Sequence, residues 1–246
     1  MLQGLYSAAS GMEAQQTQLN AISNDLANAS TPGYESVDVG FEDLLYSSGG
    51  VSSGSQVATG AGAQASVIGR NTTEGALTDT GRPLDVGIDG DAFLQVRLPS
   101  GQTALTRDGS LLTNNKGQLT DANGDPLVPS ITIPSGTNPA DVKIAANGSV
   151  TLGSKTLGQI KLVSVPAPGQ LLANGDSTFS VTAASGAAKP ATNATLHQGY
   201  LEGSNVDMAQ AMEGMMNAQE GYDMDSQAVQ YQSQMLQIAN QLRSGS

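Results

Sequence analysis

The chain of 246 residues has no cysteine and no tryptophan, and its aromatic residues are limited to six tyrosines and three phenylalanines. The lack of cysteine excludes disulfide bonds, thiolate zinc sites and cysteine nucleophiles. The scarcity of aromatic side chains argues against a large aromatic-lined pocket. No apolar run approaches the roughly 20 residues that span a bilayer, and no basic segment precedes an apolar stretch at the N-terminus, so we expect neither membrane insertion nor a cleaved signal peptide.

Positive charge is scarce, and it is confined almost entirely to the middle of the chain. Ten Lys and Arg residues stand against 22 Asp and Glu residues, which gives a net charge of −12. Residues 1–69 contain no Lys or Arg, and residues 190–246 contain only Arg243. Because phosphate binding needs a basic surface, we expect no nucleic acid partner. We interpret the acids as solvated faces that keep the protein soluble, and the alternative that like-charged ends slow self-association at low salt stays open.

Both ends of the chain show the apolar spacing of helices that pack along other helices. Near the N-terminus the apolar positions alternate in steps of four and three, and near the C-terminus they recur every seven residues. A helix keeps such a stripe on one side when the stripe packs along a helical partner. The residues predicted to form this contact, between the two ends or between copies of the chain, are Leu5, Met12, Leu19, Ile22, Leu26, Met208, Met215, Tyr222, Val229 and Leu236.

The limits of the two helices follow from their flanking residues. The first is predicted over residues 2–28, because Pro32 and Gly33 stop it. The last is predicted to start at Ser204, with Asp207 completing a weak capping box. Each glycine in a helix costs about 1 kcal/mol relative to alanine, so we interpret the helical glycines as points where helix backbones approach closely, with mere tolerance as the alternative. These glycines are Gly4, Gly11, Gly214 and Gly221.

The middle of the chain has the pattern of short strands joined by tight turns. Leu84, Val86 and Ile88 alternate with other residues, and Gly-containing turn pairs recur at 108–109, 116–117, 123–124, 147–148 and 174–175. Such pairs supply the positive φ angles of hairpins, which predicts antiparallel sheet in a small barrel or sandwich. Residues 47–66 contain Ser, Gly, Ala, Gln, Thr and Val without charge, which predicts an arm that is flexible or lies along the protein surface.

These patterns predict an α+β fold in which long, paired, coiled-coil-like terminal helices flank a mainly antiparallel β domain. Residues 1–30 form the N-terminal helix, which belongs to one discontinuous helical domain with the C-terminal helix at 204–243. Residues 31–69 form an extended arm and linker, and residues 70–203 form the β domain.

Candidate catalytic or metal-binding residues are few. Asp121, Asn123 and Asp125 imitate the start of a calcium loop, but Pro126 and Thr132 stand where that loop needs glycine and glutamate, so we interpret the segment as a turn. No serine lies in a nucleophile elbow. The sequence therefore predicts a protein that is not an enzyme and has no cofactor or metal. An enzyme or polysaccharide-binding β domain and a free-standing coiled-coil adaptor remain alternatives.

Four segments resemble the bacterial flagellar rod, hook and hook-associated axial proteins. Residues 22–34 resemble the N-terminal signature of that family, and residues 80–86 with 90–96 resemble its first core strands. Residues 105–110 resemble its Thr-Arg-Asp-Gly hairpin, and residues 199–208 resemble the entry to its C-terminal helix. The residues that carry the motifs are Asn24, Leu26, Asn28, Thr31, Gly33, Tyr34, Thr106, Arg107, Gly109, Ser204, Asn205 and Val206.

Within this family, residues 41–46 are most similar to the distal rod members. The resemblance implies a structural subunit of the flagellar basal body that polymerises helically through its terminal helices and transmits torque from motor to hook. It also implies export through the flagellar type III apparatus without a cleaved signal peptide, and contacts with other rod and hook proteins. A proximal rod or hook subunit of the same family is the alternative.

Overall fold

The computed structural model describes residues 2–44, 47–48, 58–59 and 62–244. Helix α1 (Leu2–Ala27) begins the chain and helix α2 (Met208–Ser244) ends it, which confirms the two predicted terminal helices. The strands between them are β1 (Val37–Asp43), β2 (Ser47–Ser48), β3 (Ala58–Thr59), β4 (Ala63–Arg70), β5 (Leu77–Asp79), β6 (Val86–Asp89), β7 (Phe93–Arg97), β8 (Thr103–Thr106), β9 (Leu112–Thr113), β10 (Leu119–Thr120), β11 (Val142–Ile144), β12 (Ser149–Leu152), β13 (Lys155–Gln159), β14 (Leu162–Ser164), β15 (Leu172–Gly175), β16 (Thr178–Ser180), β17 (Lys189–Pro190), β18 (Thr195–Gln198) and β19 (Tyr200–Glu202).

The chain divides into two compact units, and it passes between them at four points. The helical unit comprises Met1–Leu26, Val37–Ile68 and Asp207–Ser246. The β unit comprises Ala27–Ser36 and Gly69–Val206.

The β unit is built from antiparallel sheets around an aliphatic core, as the turn and strand pattern predicts. Its largest sheet has six strands in the order β15-β16-β8-β7-β14-β17. Smaller sheets pair β11-β12-β13, β18-β6, β19-β5 and β10-β9. Val86 and Ile88 of β6 are fully buried in the main core, together with Leu94 and Val96 of β7, the next strand along the chain.

Two predicted turn pairs connect adjacent strands, and one predicted turn is wrong. Residues 116–117 connect β9 to β10, and residues 147–148 connect β11 to β12. Residues 174–175 instead end β15, where the register shifts by a bulge next to Gly175. The reversal follows at Asp176 and Ser177, which both adopt φ of 53°. Aspartate tolerates this left-handed conformation better than most residues, so the two-residue turn can begin at Asp176.

The helical unit combines the terminal helices with a two-stranded sheet formed by β1 and β4. The amide of Val37, at the start of β1, donates to the buried Asp25 carboxylate of α1 at 3.1 Å. Most of the arm predicted at 47–66 lies outside the described residues, and its end at 63–66 belongs to β4.

Helix α2 begins four residues later than predicted. Oδ1 of Asp207 accepts hydrogen bonds from the amides of Ala209 at 2.9 Å and Gln210 at 3.1 Å, so Asp207 is the N-cap. The Ser204 hydroxyl oxygen instead accepts from the amide of Val206 at 3.3 Å within the preceding loop. The carboxylate of Asp207 also interacts favourably with the positive end of the helix dipole.

Candidate functional site

The four helical glycines all face the opposite terminal helix. A Cβ atom built on Gly11 would lie 2.5 Å from Oδ2 of Asp225, and one built on Gly214 would lie 3.2 Å from Cδ1 of Ile22. The full set of contacts is Gly4 with Gln232, Gly11 with Asp225, Gln15 with Gly221, and Ile22 with Gly214. Each step of seven or four along α1 is matched by an equal step back along α2. The helices therefore contact each other in antiparallel directions, and the glycines leave room for side chains of the opposite helix.

The residues predicted to form the helix contact lie mostly along this line, which we call the seam. Nine of the ten are half-buried: Leu5, Met12, Leu19, Ile22, Leu26, Met215, Tyr222, Val229 and Leu236. Met208 is 49% exposed, because the register of the seam places it beyond the last residue of α1. Ala14 and Ala218 are the most buried residues of the helices, at 2% exposure each. A role for this stripe between copies of the chain stays a prediction.

Three motif segments that are far apart in sequence meet in the β unit, at a site that we call the junction. Gly33 adopts φ of 63°, and a Cβ atom on it would lie 2.6 Å from the amide nitrogen of Asp108. The amide of Gly33 donates to the carbonyl of Glu202 at 3.0 Å. Only glycine combines this backbone angle with so close an approach, so Gly33 fits between the Arg107 and Glu202 segments.

Asn205 is the hydrogen-bonding hub of the junction. Its side-chain oxygen accepts from the amide of Ser36 at 2.8 Å, and its side-chain nitrogen donates to the carbonyls of Asn71 at 2.7 Å and Thr73 at 3.1 Å. The amide of Asn71 also donates to the carbonyl of Ser36 at 2.9 Å. Three of the four points where the chain leaves the β unit therefore lie next to one side chain.

A buried ion pair lies beside this hub. Nε of Arg107 donates to Oε2 of Glu202 at 2.8 Å, and the two residues are 2% and 4% exposed. Nη2 of Arg107 also donates to the carbonyl of Gly90 at 3.3 Å, and its guanidinium carbon lies 5.6 Å from the centre of the Phe93 ring. The amide of Gly75 donates to Oε1 of Glu202 at 3.0 Å. Burial raises the pKa of Glu202, although the bond and the charge of Arg107 oppose that rise.

Glu35 adds a second buried carboxylate to the junction. It is 3% exposed, and neither of its carboxylate oxygens has a hydrogen-bond partner among the residues that the structure describes. Burial raises the pKa of Glu35 to about 7, while the charges of Arg107 and Arg70 oppose the rise and Glu202 adds to it. The interpretation of the N-terminal acids as solvated faces is therefore wrong for Glu35, and also for Asp25, which is 7% exposed.

The remaining motif residues have local roles. The Thr106 hydroxyl donates to the carbonyl of Ser177 at 2.8 Å and accepts from the amide of Asp108 at 3.0 Å. Gly109 packs against the carbonyl of Val86, where a Cβ atom would not fit. The Thr31 amide donates to the carbonyl of Asn28 at 3.0 Å, just after α1 ends. Asn24 and Leu26 lie in the last turn of α1, Tyr34 lies beside Arg70, and Val206 precedes the cap of α2.

Sequence reasoning missed Glu35, Arg70 and Asn71 as parts of the junction. A single charged or amide residue is normally exposed, so nothing local marks these three as buried or hydrogen-bonded. Glu202 gave a weak signal, because it lies inside a motif segment.

The segment that imitates a calcium loop is a turn, as predicted. Oδ1 of Asp121 accepts from the amides of Asn123 at 2.9 Å and Asp125 at 2.8 Å, so the backbone occupies this carboxylate oxygen. Within the described residues, no group of three or more His, Cys, Asp or Glu side chains could hold a metal ion. In the same part of the chain, neither helix is long and apolar enough to cross a bilayer.

Three family models match separate parts of the chain. A model for the flagella basal body rod protein matches residues 5–34, which include most of α1 and the start of the junction. A model for the D1 domain of the flagellar hook protein FlgE/F/G matches residues 87–152 in the β unit. A model for the C-terminal region of the flagellar basal body rod FlgEFG protein matches residues 197–242, which contain Asn205 and most of α2.

Whole-length relatives agree with these partial matches. The flagellar basal-body rod protein FlgG of Caulobacter vibrioides is 39% identical, over 99% of this chain and 100% of that protein. FlgG of Buchnera aphidicola from Acyrthosiphon pisum is 37% identical, over 98% and 100% of the two chains. FlgG of Borreliella burgdorferi is 34% identical, over 99% of each chain. With terminal helices, junction and β unit all included in these matches, the chain belongs to the family of flagellar basal-body rod proteins.

Proposed function

We propose that this structural rod protein forms the distal part of the flagellar rod, polymerises helically through its terminal helices, and transmits torque from motor to hook. The observation that carries the proposal is the similarity to FlgG proteins along nearly the whole chain. The FlgG relatives favour the distal rod over the alternatives of a proximal rod or hook subunit.

The terminal helices supply the assembling element in this proposal. We infer that α1 and α2 form a coiled-coil-like pair, since their contacts repeat in steps of seven and four along both helices. Helices with a single apolar stripe are marginal when isolated in water, so pairing within the chain stabilises both. Neighbouring copies would then bury the apolar surface that pairing leaves exposed.

Torque transmission would depend on the junction. The hub at Asn205 and the ion pair between Arg107 and Glu202 bind together the segments through which the β unit continues into the rest of the chain. Buried, charge-assisted hydrogen bonds are short and directional, so they resist shear better than an aliphatic contact does. A polymer under load needs chain segments that are held together in this way.

The remaining parts of the proposal follow from the family. We expect the chain to contact other rod and hook proteins, to be exported by the flagellar type III apparatus without a cleaved signal peptide, and to have no enzymatic activity and no cofactor. One cavity of the β unit, of about 470 Å³, has mostly aliphatic and amide lining, with Lys161 as its charged residue.

Locating the chain in isolated basal bodies tests the assignment to the distal rod. An epitope inserted after Gly136, at an exposed turn of the β unit, leaves the helices and the junction intact. Immunogold electron microscopy should place the label on the rod segment next to the hook, and cells without the gene should form shorter rods that lack a hook. Label confined to the hook, or to the rod segment near the motor, would refute the distal assignment.

A further inference from the structure

Asparagine followed by glycine occurs three times in the β unit, and this pair of residues is open to a chemical reaction of its own. The amide nitrogen of the glycine can attack Cγ of the asparagine, because glycine has no side chain that blocks the approach. The new C–N bond closes a five-membered succinimide ring, the Cγ–Nδ2 bond breaks, and ammonia leaves with the amide proton. Solvent water then opens the ring at either carbonyl and gives aspartate or isoaspartate. Each asparagine that reacts adds one negative charge.

The turn at Asn147 and Gly148 is held too firmly for this reaction. Gly148 is buried, and its amide donates to the carbonyl of Ala145 at 2.8 Å. Oδ1 of Asn147 accepts from the amide of Ser149 at 3.0 Å, and the carbonyl of Asn147 accepts from the side chain of Gln159 at 3.0 Å. Ring closure would have to break these bonds and rotate the backbone inside a packed turn.

The turn at Asn123 and Gly124 is exposed, but its backbone is anchored on a buried residue. Asp121 is 2% exposed, and its carbonyl accepts from the amide of Gly124 at 3.2 Å. Oδ1 of Asp121 accepts from the amides of Asn123 at 2.9 Å and Asp125 at 2.8 Å. The attacking nitrogen of Gly124 therefore belongs to a closed turn, which ring closure must first break.

The third pair, Asn174 and Gly175, lies at the free edge of a sheet. Strand β15 is the outermost strand of the six-stranded sheet, and all four of its residues are exposed. The register shifts between Ala173 and Gly175, so Asn174 is the extra residue of a bulge and has no residue opposite it in β16. A Cβ atom on Gly175 would meet nothing within 4 Å, so the succinimide ring has room to form.

The hairpin that follows β15 is also easy to open. Its turn residues, Asp176 and Ser177, both adopt φ of 53°, a left-handed conformation that is unfavourable for serine in particular. The hydroxyl of Ser180 accepts from Nδ2 of Asn174 at 2.8 Å and donates to Oδ1 at 3.1 Å. Both bonds are exposed, and because water competes for them they restrain the asparagine only weakly. Local opening of this hairpin therefore frees both reacting groups at low cost.

We propose that Asn174 is the site at which the folded chain is modified by deamidation, through local opening of the hairpin that joins β15 and β16. The product adds a negative charge to a chain whose net charge is already −12. Isoaspartate also lengthens the backbone next to the bulge, which changes the pairing of β15 with β16. The inference is independent of the proposed assembly, because the reaction needs only the β unit of a single copy.

Ageing the full-length protein at mildly alkaline pH tests this inference, with the other two pairs as internal controls. Tandem mass spectrometry of proteolytic peptides measures the modified fraction of Asn123, Asn147 and Asn174 over time. In the native protein we expect Asn174 to react at least about fivefold faster than either of the others. In concentrated guanidinium chloride, where the fold protects none of them, we expect three rates that agree within about twofold. Isoaspartate should be the major product at Asn174, and aspartate alone would refute ring closure.

Ser177→Gly tests the role of the strained turn without changing the reacting pair. Glycine adopts a positive φ without strain, so the hairpin should open less often, and the rate at Asn174 should fall at least about twofold in the native protein. The rate in guanidinium chloride should stay the same. If native Asn174 reacts no faster than Asn123 or Asn147, the inference is overturned. An unchanged or higher native rate in Ser177→Gly would also overturn it.

Discussion

The buried Glu35 should make the stability of the β unit fall as pH rises, and Glu35→Gln should remove the contribution of this residue to that fall. Glutamine has nearly the same shape as protonated glutamate but cannot ionise. The substitution therefore removes the charge that the junction holds without a hydrogen-bond partner among the described residues. Arg107, Arg70 and Glu202 are the charged groups whose fields act on Glu35, and all three stay in place.

The size of the effect follows from the pKa of Glu35. Burial raises this pKa from its ordinary value of 4.5 to about 7 in the folded protein. A difference of about 2.5 between the two states corresponds to about 3 kcal/mol, at about 1.4 kcal/mol for each pKa unit. Because the folded state holds the proton more tightly, stability is fully present below pH 4.5 and is lost as pH rises through about 7.

Urea unfolding of wild type and variants between pH 4 and pH 8.5 measures this dependence. We expect Glu35→Gln to match wild type near pH 4 and to be more stable by about 3 kcal/mol near pH 8.5. Asp91→Asn is the control, because it removes one charge from an exposed position of the same β unit. Equal pH dependence of wild type and Glu35→Gln would refute the reasoning, as would a variant that is less stable at pH 8.5.

Three further substitutions test the junction and the start of α2. Arg107→Met leaves buried carboxylates without their guanidinium partner, so urea unfolding should show a free energy of unfolding that is lower by about 3 to 5 kcal/mol. A decrease below about 1 kcal/mol would contradict a stabilising role of the ion pair. Asn205→Ala removes three side-chain hydrogen bonds and should lower the free energy of unfolding by about 2 to 3 kcal/mol. An unchanged urea midpoint would contradict the role of Asn205 as the hub of the junction. Asp207→Ala should lower the free energy of unfolding by about 1 kcal/mol and speed hydrogen exchange in the first turn of α2, whereas Ser204→Ala should do neither. If Ser204→Ala has these effects and Asp207→Ala does not, Ser204 is the cap, as the sequence predicts.

The terminal helices could be predicted from the sequence because their evidence is local. Apolar residues at steps of three and four predict a helix from a few turns of sequence. Pro32 and Gly33 predict where the first helix ends. The start of α2 was placed too early because Ser204 and Asp207 are both good caps, and the choice between them depends on the loop fold.

The junction could not be predicted in the same way. The burial of Glu35 and Arg107 depends on contacts between distant parts of the chain. Glu35 is 72 residues from Arg107, and Arg107 is 95 residues from Glu202. Local pattern carries no information about which charged residues such long-range contacts will enclose. The resemblance to a family pointed to the three motif segments, but only the fold brings Gly33, Arg107 and Asn205 to one place.

We propose that this chain assembles with copies of itself through its terminal helices. Electron cryomicroscopy of polymerised wild-type protein, at a resolution that separates helices, tests it most directly. We expect a helical rod in which α1 and α2 of each copy are in contact along the seam, and neighbouring copies are in contact through their terminal helices. Closed dimers, or polymers joined only through the β units, would contradict the proposed assembly.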